Sequence, residues 1–245
     1  MYLSPLNRLS PLGKAVGGAT PPPVFNPLTI TGLQLYLAKN NATVSSWLDQ
    51  SANAFDFVQA TGTKQPTISA NSVDFDGVDD IQIVNAVQPL NDASGIIFFS
   101  GYFDSSAVNG VIASGDAATT NIFQVVVTST GALRFYIVTP TITYFDTTNV
   151  ITNGDYYYGY IKSTGTSYEA SLNGFTETLI FGSGSNDGTW FSDVLARDNL
   201  TLGAFVRNTT GYRLAKTNKI IYSNAALTSG EIADIDTFMS VPTNY

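Results

Sequence analysis

Four carboxylates gather around one glycine in Asp74-Phe75-Asp76-Gly77-Val78-Asp79-Asp80. Oxygens at this density suit a hard cation such as calcium, which takes about six to eight oxygen ligands. The spacing is not that of an EF-hand loop, and aspartates beside a glycine are equally ordinary turn chemistry. Val73 and Phe75 fall on one face of a period-2 strand, Asp74 and Asp76 fall on the other, and Gly77 supplies the freedom that a tight reversal needs. The stretch therefore reads first as a strand entering a turn. Asp74, Asp76, Asp79 and Asp80 as calcium ligands are the competing reading, and no other cofactor is expected. Asp49, beside Trp47, reads the same way, as a turn-capping residue rather than a ligand.

Other chemistry is limited by what the chain lacks. It has no histidine and no cysteine. That removes Ser-His-Asp and Cys-His nucleophile systems, imidazole and thiolate metal sites, and disulfides. Its three glutamates, Glu169, Glu177 and Glu231, form no alternating cluster on one strand. Charged residues are 12% of the composition, and the net charge is -8. Without a Lys/Arg cluster, that charge disfavours nucleic acid and an anionic membrane as partners. No apolar run approaches the length of a membrane span, and Pro5 and Pro11 interrupt any apolar leader. Three glycosylation sequons, at Asn41, Asn199 and Asn208, carry no weight without such a leader.

Aromatic residues are the other candidate site-formers. In Tyr156-Tyr-Tyr-Gly-Tyr160, alternation puts Tyr156, Tyr158 and Tyr160 on one face and Tyr157 on the other. One face is expected in the core, and a tyrosine on the opposite face would stack on a sugar ring or a neighbouring subunit. Trp190 and Tyr212, close to loop signals, join Tyr157 as glycan-binding candidates. Phe191 and Phe205 lie in the same regions.

These residues sit on a succession of short strands. Leu33–Leu37, Val44–Leu48, Phe55–Gln59 and the aspartate-bearing strand come first, with Ile81 and Ile83 resuming the alternation. Gly95–Phe103 is apolar on both faces, as a central strand covered on both sides would be. Asn121–Thr128 with Ala132–Val138, and Asp155–Lys162 with Ser167–Leu172, read as hairpins. Asn173-Gly174 turns the chain into Phe175–Phe181, a single strand in this reading, and Leu200–Gly203 and Asn218–Tyr222 follow. No strand is assigned between Val138 and Asp155. One helix closes the chain: Thr228 and Glu231 form a capping box, Ile232, Ile235, Phe238 and Met239 form its apolar face, and Pro242 ends it. The expected fold is all-β, a two-sheet antiparallel jelly-roll sandwich with one short C-terminal helix.

Residues 1–28 differ in kind and form an expected N-terminal arm on a domain spanning 29–245. Leu3-Ser-Pro-Leu6 recurs as Leu9-Ser-Pro-Leu12, and Pro21-Pro22-Pro23 follows as a stiff spacer. Pro5 and Pro11 hold the backbone extended and leave Leu3, Leu6, Leu9 and Leu12 protruding. The arm is expected to dock on a partner protein or on another copy of the chain.

Gly32-Leu-Gln-Leu-Tyr-Leu37, Val44-Ser-Ser-Trp-Leu-Asp-Gln-Ser51, Val73–Asp80 and the closing Lys219–Ile232 stretch together resemble the laminin G-like, concanavalin A-like lectin/glucanase superfamily, over residues 29 to 240. The resemblance implies a jelly-roll used for binding glycans or proteins and, less often, for glycoside hydrolysis. Glucanases of that superfamily carry two glutamates and an aspartate alternating on one strand, a cluster this chain lacks. The proline-punctuated leader on a jelly-roll resembles virion proteins of tailed bacteriophages. The combined expectation is a non-enzymatic structural protein on the outer surface of a virion, in the capsid, a fibre or the tail. The alternative is an extracellular lectin module for host-surface glycans, and a glycoside hydrolase is the third reading.

Overall fold

The computed structural model describes residues 25–86, 88, 90–116, 118, 120–206 and 210–243. The arm residues Leu3, Pro5, Leu6, Leu9, Pro11 and Leu12 lie outside them. Among the described residues, nineteen strands and one α-helix form in order. The first nine strands are β1 (Leu33–Ala38), β2 (Ser46–Trp47), β3 (Phe57–Val58), β4 (Thr67–Ile68), β5 (Val73–Asp76), β6 (Gln82–Asn85), β7 (Gly95–Tyr102), β8 (Asn109–Gly115) and β9 (Ile122–Val127). There follow β10 (Ala132–Thr139), β11 (Thr141–Val150), β12 (Tyr156–Ser163), β13 (Tyr168–Leu172), β14 (Phe175–Thr176) and β15 (Leu179–Ser183). The chain ends with β16 (Asn199–Leu202), β17 (Ala204–Val206), β18 (Thr210–Tyr212), β19 (Leu214–Ser223) and α1 (Ser229–Met239).

Pairing sorts the strands into two sheets. In the first, β19 is the spine: β7 runs antiparallel along one edge, while β5 and β1 share the other. β7 continues through β12 and β13 to β14, and β5 pairs with β4. The second sheet runs β2-β3-β6-β16-β8-β9-β10-β11-β15. A single parallel contact between Leu214 and Asn109 joins the two, and β17 and β18 form a separate hairpin.

The core lies between the sheets, where inward residues of period-2 strands meet. Leu35, Leu37, Ile97, Phe99, Ile161 and Ile220 on one side face Phe123, Val125, Leu133, Phe135 and Phe145 on the other. β7 and β19 are buried on both faces, which is why they read as continuous apolar runs: Ile96, Phe98 and Ile221 point away from the sandwich into a second cluster. The helix covers that outer face with Ile235, Phe238 and Met239. Its capping box forms as its spacing implies, with Glu231 N–H donating to Thr228 Oγ1 at 3.2 Å and Thr228 N–H donating to Glu231 at 2.8 Å. Phe25, assigned to the arm by its sequence, packs its ring 5.4 Å from that of Phe238.

Several segments depart from the sequence reading, among them β4, β17 and β18, which it did not assign. Phe175–Phe181 is two strands, because the chain changes sheets at Glu177: β14 pairs with β13 in the first sheet and β15 with β11 in the second. Glu177 is buried at the crossing, where it accepts hydrogen bonds from the backbone and side-chain amides of Asn149 at 3.1 and 2.9 Å. β8 was hidden by its composition, Asn-Gly-Val-Ile-Ala-Ser-Gly, which looks like turn material yet is buried throughout. β11 is ten residues long and threonine-rich, with Thr143, Phe145 and Thr147 facing inward.

Candidate functional site

The aspartate turn is closed by its own amides. Asp76 Oδ1 accepts hydrogen bonds from the N–H groups of Val78, Asp79 and Asp80 at 2.8, 3.2 and 3.3 Å. Desolvation pushes the Asp76 carboxyl up, but those amides outweigh it and hold the group below its ordinary range. Asp80 is shifted the other way, by desolvation first and by the neighbouring charges of Asp76 and Asp79, although its Oδ2 accepts the Asp76 N–H at 3.0 Å. One carboxylate oxygen each from Asp76, Asp79 and Asp80 lies within 4.8 Å of the others. Asp74 is outside that group and accepts hydrogen bonds from Ser72 Oγ and Ser69 Oγ at 2.5 and 3.4 Å. A cation here would find three carboxylates, one of them already holding three amides, where calcium wants about six to eight oxygens. Asp49 is likewise a turn residue, accepting the N–H groups of Tyr36, Ser51 and Phe55 at 2.8 to 2.9 Å.

Two of the aromatic candidates are core residues. Trp190 is fully buried, stacked on Phe135 at 5.5 Å and edge-on to Phe123 at 5.1 Å. Its indole N–H donates to Tyr222 Oη at 3.3 Å. Tyr157 faces the same core and is 9% exposed, its hydroxyl accepting the Thr152 N–H at 2.7 Å. Neither ring is available to a sugar, because both are packed into the core between the sheets. The opposite face of β12 is not free either: Tyr160 and Tyr158 pack against the helix cluster, and the Tyr156 hydroxyl donates to Met239 O at 2.7 Å. Tyr212 contributes backbone to β18, and its side chain lies outside the described residues.

An open aromatic and cationic surface occurs elsewhere, on the outer face of the second sheet. Cross-strand register builds it in two rows. Gln124, Tyr136 and Tyr144 stand side by side across β9, β10 and β11, and Val126, Arg134 and Asp146 form the next row. The Tyr136 and Tyr144 rings lie 6.2 Å apart. The Arg134 guanidinium lies 4.8 Å over the Tyr144 ring and grips Asp146 with Nε–Oδ1 and Nη2–Oδ2 bonds of 2.6 and 2.7 Å. That fork spends two nitrogens and leaves Nη1 for another acceptor. The β17–β18 hairpin walls one side, where Phe205 sits 5.4 Å from the Arg213 guanidinium and Gln124 Nε2 donates to Phe205 O at 3.3 Å. The enclosed depression measures about 390 Å³. Arg134, Arg213, Tyr136, Phe205, Gln124 and Thr128 line it, and among the described residues its lining contains no carboxylate.

The sequence held a signal for this face. In Leu133-Arg-Phe-Tyr-Ile137, Arg134 and Tyr136 alternate with three apolar residues that prove to be buried. Pairing that strand with the one after Pro140 sets Arg134 opposite Asp146. Without an assigned β11, the strand that carries Asp146 and Tyr144 was missing beside them.

No protein-family model matches the chain, and no curated protein matches it. Solved structures do. The chain is similar to the CBM40 of the Ruminococcus gnavus IT-sialidase (TM-score 0.51, 15% identity, 60% of this chain and 83% of that one) and to the same CBM40 bound to α2,3-sialyllactose (TM-score 0.50, 14% identity, 60% and 83%). It is also similar to Trypanosoma rangeli sialidase in complex with 2,3-difluorosialic acid, at TM-score 0.63 and 13% identity over 88% of this chain, which spans 34% of that one. At these identities the likeness is one of fold. The chain has the β-sandwich architecture seen in a carbohydrate-binding module and in sialidases.

Proposed function

We propose that the domain is a non-catalytic carbohydrate-binding module that holds an anionic sugar on the outer face of its second sheet. The observation that carries this reading is the depression between β9, β10 and the β17–β18 hairpin. Two arginines, one of them paired with Asp146 at the rim, and two aromatic rings converge there, and no carboxylate residue is among the described residues of the lining, in a chain whose net charge is -8. Aromatic faces take the apolar side of a pyranose, a side-chain amide takes hydroxyls, and a guanidinium matches a carboxylate. The fold likeness to a module bound to sialyllactose makes sialic-acid-terminated glycans the first class to test.

The glutamates support a binding role rather than hydrolysis. Glu231 caps the helix, Glu177 is taken by Asn149, and Glu169 pairs with Lys162 at 2.9 Å. Most glycosidases work with two carboxyls flanking one sugar bond, whereas sialidases use a tyrosine nucleophile, so the engaged glutamates speak only against the two-carboxylate route. The virion reading rests on the N-terminal arm alone, so glycan binding takes precedence. On a glycan array the full-length protein should retain sialylated glycans, and Tyr136→Ala and Arg134→Ala should each weaken retention at least tenfold. Retention of nothing, or retention indifferent to both substitutions, would overturn the proposal.

A further inference from the structure

A second depression of about 340 Å³ lies on the first sheet, at the edge that the helix leaves uncovered. Register again builds its floor: Asp74, Lys216 and Tyr102 stand opposite one another across β5, β19 and β7. Alternation along β7 puts Tyr102 on the same outer face as Ile96 and Phe98, beyond the area that α1 covers. Tyr156 braces the Tyr102 ring edge-on at 5.1 Å.

The walls are polar and held in place. On one side Ser69 N–H donates to Ser72 O at 3.0 Å, and the two hydroxyls share a 2.7 Å bond. Ser72 then orients the Asp74 carboxylate, and Asn218 Nδ2 fixes the Asn71 carbonyl. On the other side the Asn153-Gly154 turn is pinned by Gly154 N–H donating to Phe103 O at 3.1 Å. Asp104 completes that wall, its N–H bonded to Asn109 Oδ1 at 3.0 Å.

We infer that this depression is a second carbohydrate site, selective for a neutral sugar residue. A half-buried tyrosine ring gives the stacking surface, and the Asp74 and Asp104 carboxylates with Asn71 and Asn153 give acceptors and amides spaced around it for ring hydroxyls. Two carboxylates against the single Lys216 disfavour an acidic sugar, the reverse of the arginine-lined depression. Walls already tied by hydrogen bonds lose little freedom on binding. The class of ligand rests on the carbohydrate-binding reading, whereas the position of the site does not.

The test is a two-dimensional amide NMR titration of the full-length protein with galactose, glucose, mannose and N-acetylglucosamine, and separately with sialyllactose. At least one neutral sugar should shift the amides of Asn71, Asp104, Asn153 and Gly154 in a saturable way. That response should fall at least tenfold in Tyr102→Ala and in the surface variant Asp104→Asn, and persist in Arg134→Ala. Asp104→Asn keeps the test valid if Tyr102→Ala does not fold. Neutral sugars that shift only the Arg134 face, or shift nothing while sialyllactose binds there, would overturn the second site and leave the first. No response to any sugar at either face would overturn both.

Discussion

Arg134 and Asp146 sit directly opposite each other in the β10–β11 register, and their two-pronged hydrogen bond lays the guanidinium 4.8 Å over the Tyr144 ring. The pair is partly solvent-exposed, at 36% and 28% of the side chains, so its contribution to stability is at most about 1 kcal/mol. Its larger effect is positional. It fixes a planar cation at the rim of a depression that otherwise offers rings and amides.

Asp146→Ala should therefore separate stability from binding. Loss of the fork lets Arg134 swing away from the Tyr144 ring. Thermal melting should move by about 1 kcal/mol or less, while affinity for a sialylated glycan falls about three- to tenfold. Circular dichroism melts beside calorimetric titration check both halves. A large loss of stability with unchanged affinity would contradict this role.

Trp190 and Tyr136 should respond in opposite ways to truncation. Trp190 is fully buried among Phe123, Phe135 and Phe191, and Trp190→Ala should cost about 3–5 kcal/mol. Tyr136 is half-buried on the open face, and Tyr136→Ala should cost far less while reducing binding. Denaturant unfolding of both variants measures the difference.

The aspartate turn should be indifferent to calcium. Asp76→Ala removes the acceptor of three amides and should destabilise by about 1–2 kcal/mol, as loss of a helix N-cap does. Melting temperature should not change between calcium and a chelator. A rise of several degrees with calcium would show that Asp76, Asp79 and Asp80 hold a cation.

Asp236 gives a pH signature. Burial pushes its carboxyl up to about 6, and its Oδ1 is buried with no hydrogen-bond partner among the described residues. Between about 4 and 6 the folded state holds more protons than the unfolded state, so stability falls as pH rises through that window, and the full cost remains above it. Asp236→Asn should be more stable than the parent at pH 7, by about 1 kcal/mol once solvent screening of this partly exposed group is allowed for, and the gain should shrink as pH falls below 6. Unfolding curves at pH 4.5 and 7 check the sign.

The fold was legible in the sequence wherever one face of an element is apolar and a turn residue marks its end. Val73–Asp76, the two hairpins and the capped helix are of this kind. Strands whose burial comes from small or hydroxyl residues were not legible, and β8 and β11 carry glycine, serine and threonine at inward positions. The candidate site went with them, because Arg134 and Tyr136 acquire meaning only when β11 brings Asp146 and Tyr144 alongside. Tyr157 and Trp190 misled for a related reason. Alternation separates Tyr157 from its neighbours without saying which face is the core, and an aromatic beside a loop signal, such as Trp190, reads the same whether it points outward or, as here, inward.

The most direct test of glycan binding is an NMR titration of the full-length protein with α2,3-sialyllactose beside lactose, observing the Arg134 side-chain N–H and the backbone amides of Gln124, Arg134 and Tyr136. Binding at the proposed face predicts saturable shifts at those positions with sialyllactose, at least tenfold weaker with lactose and lost in Arg134→Ala. Equal responses to the two sugars, or shifts confined to other surfaces, would contradict it.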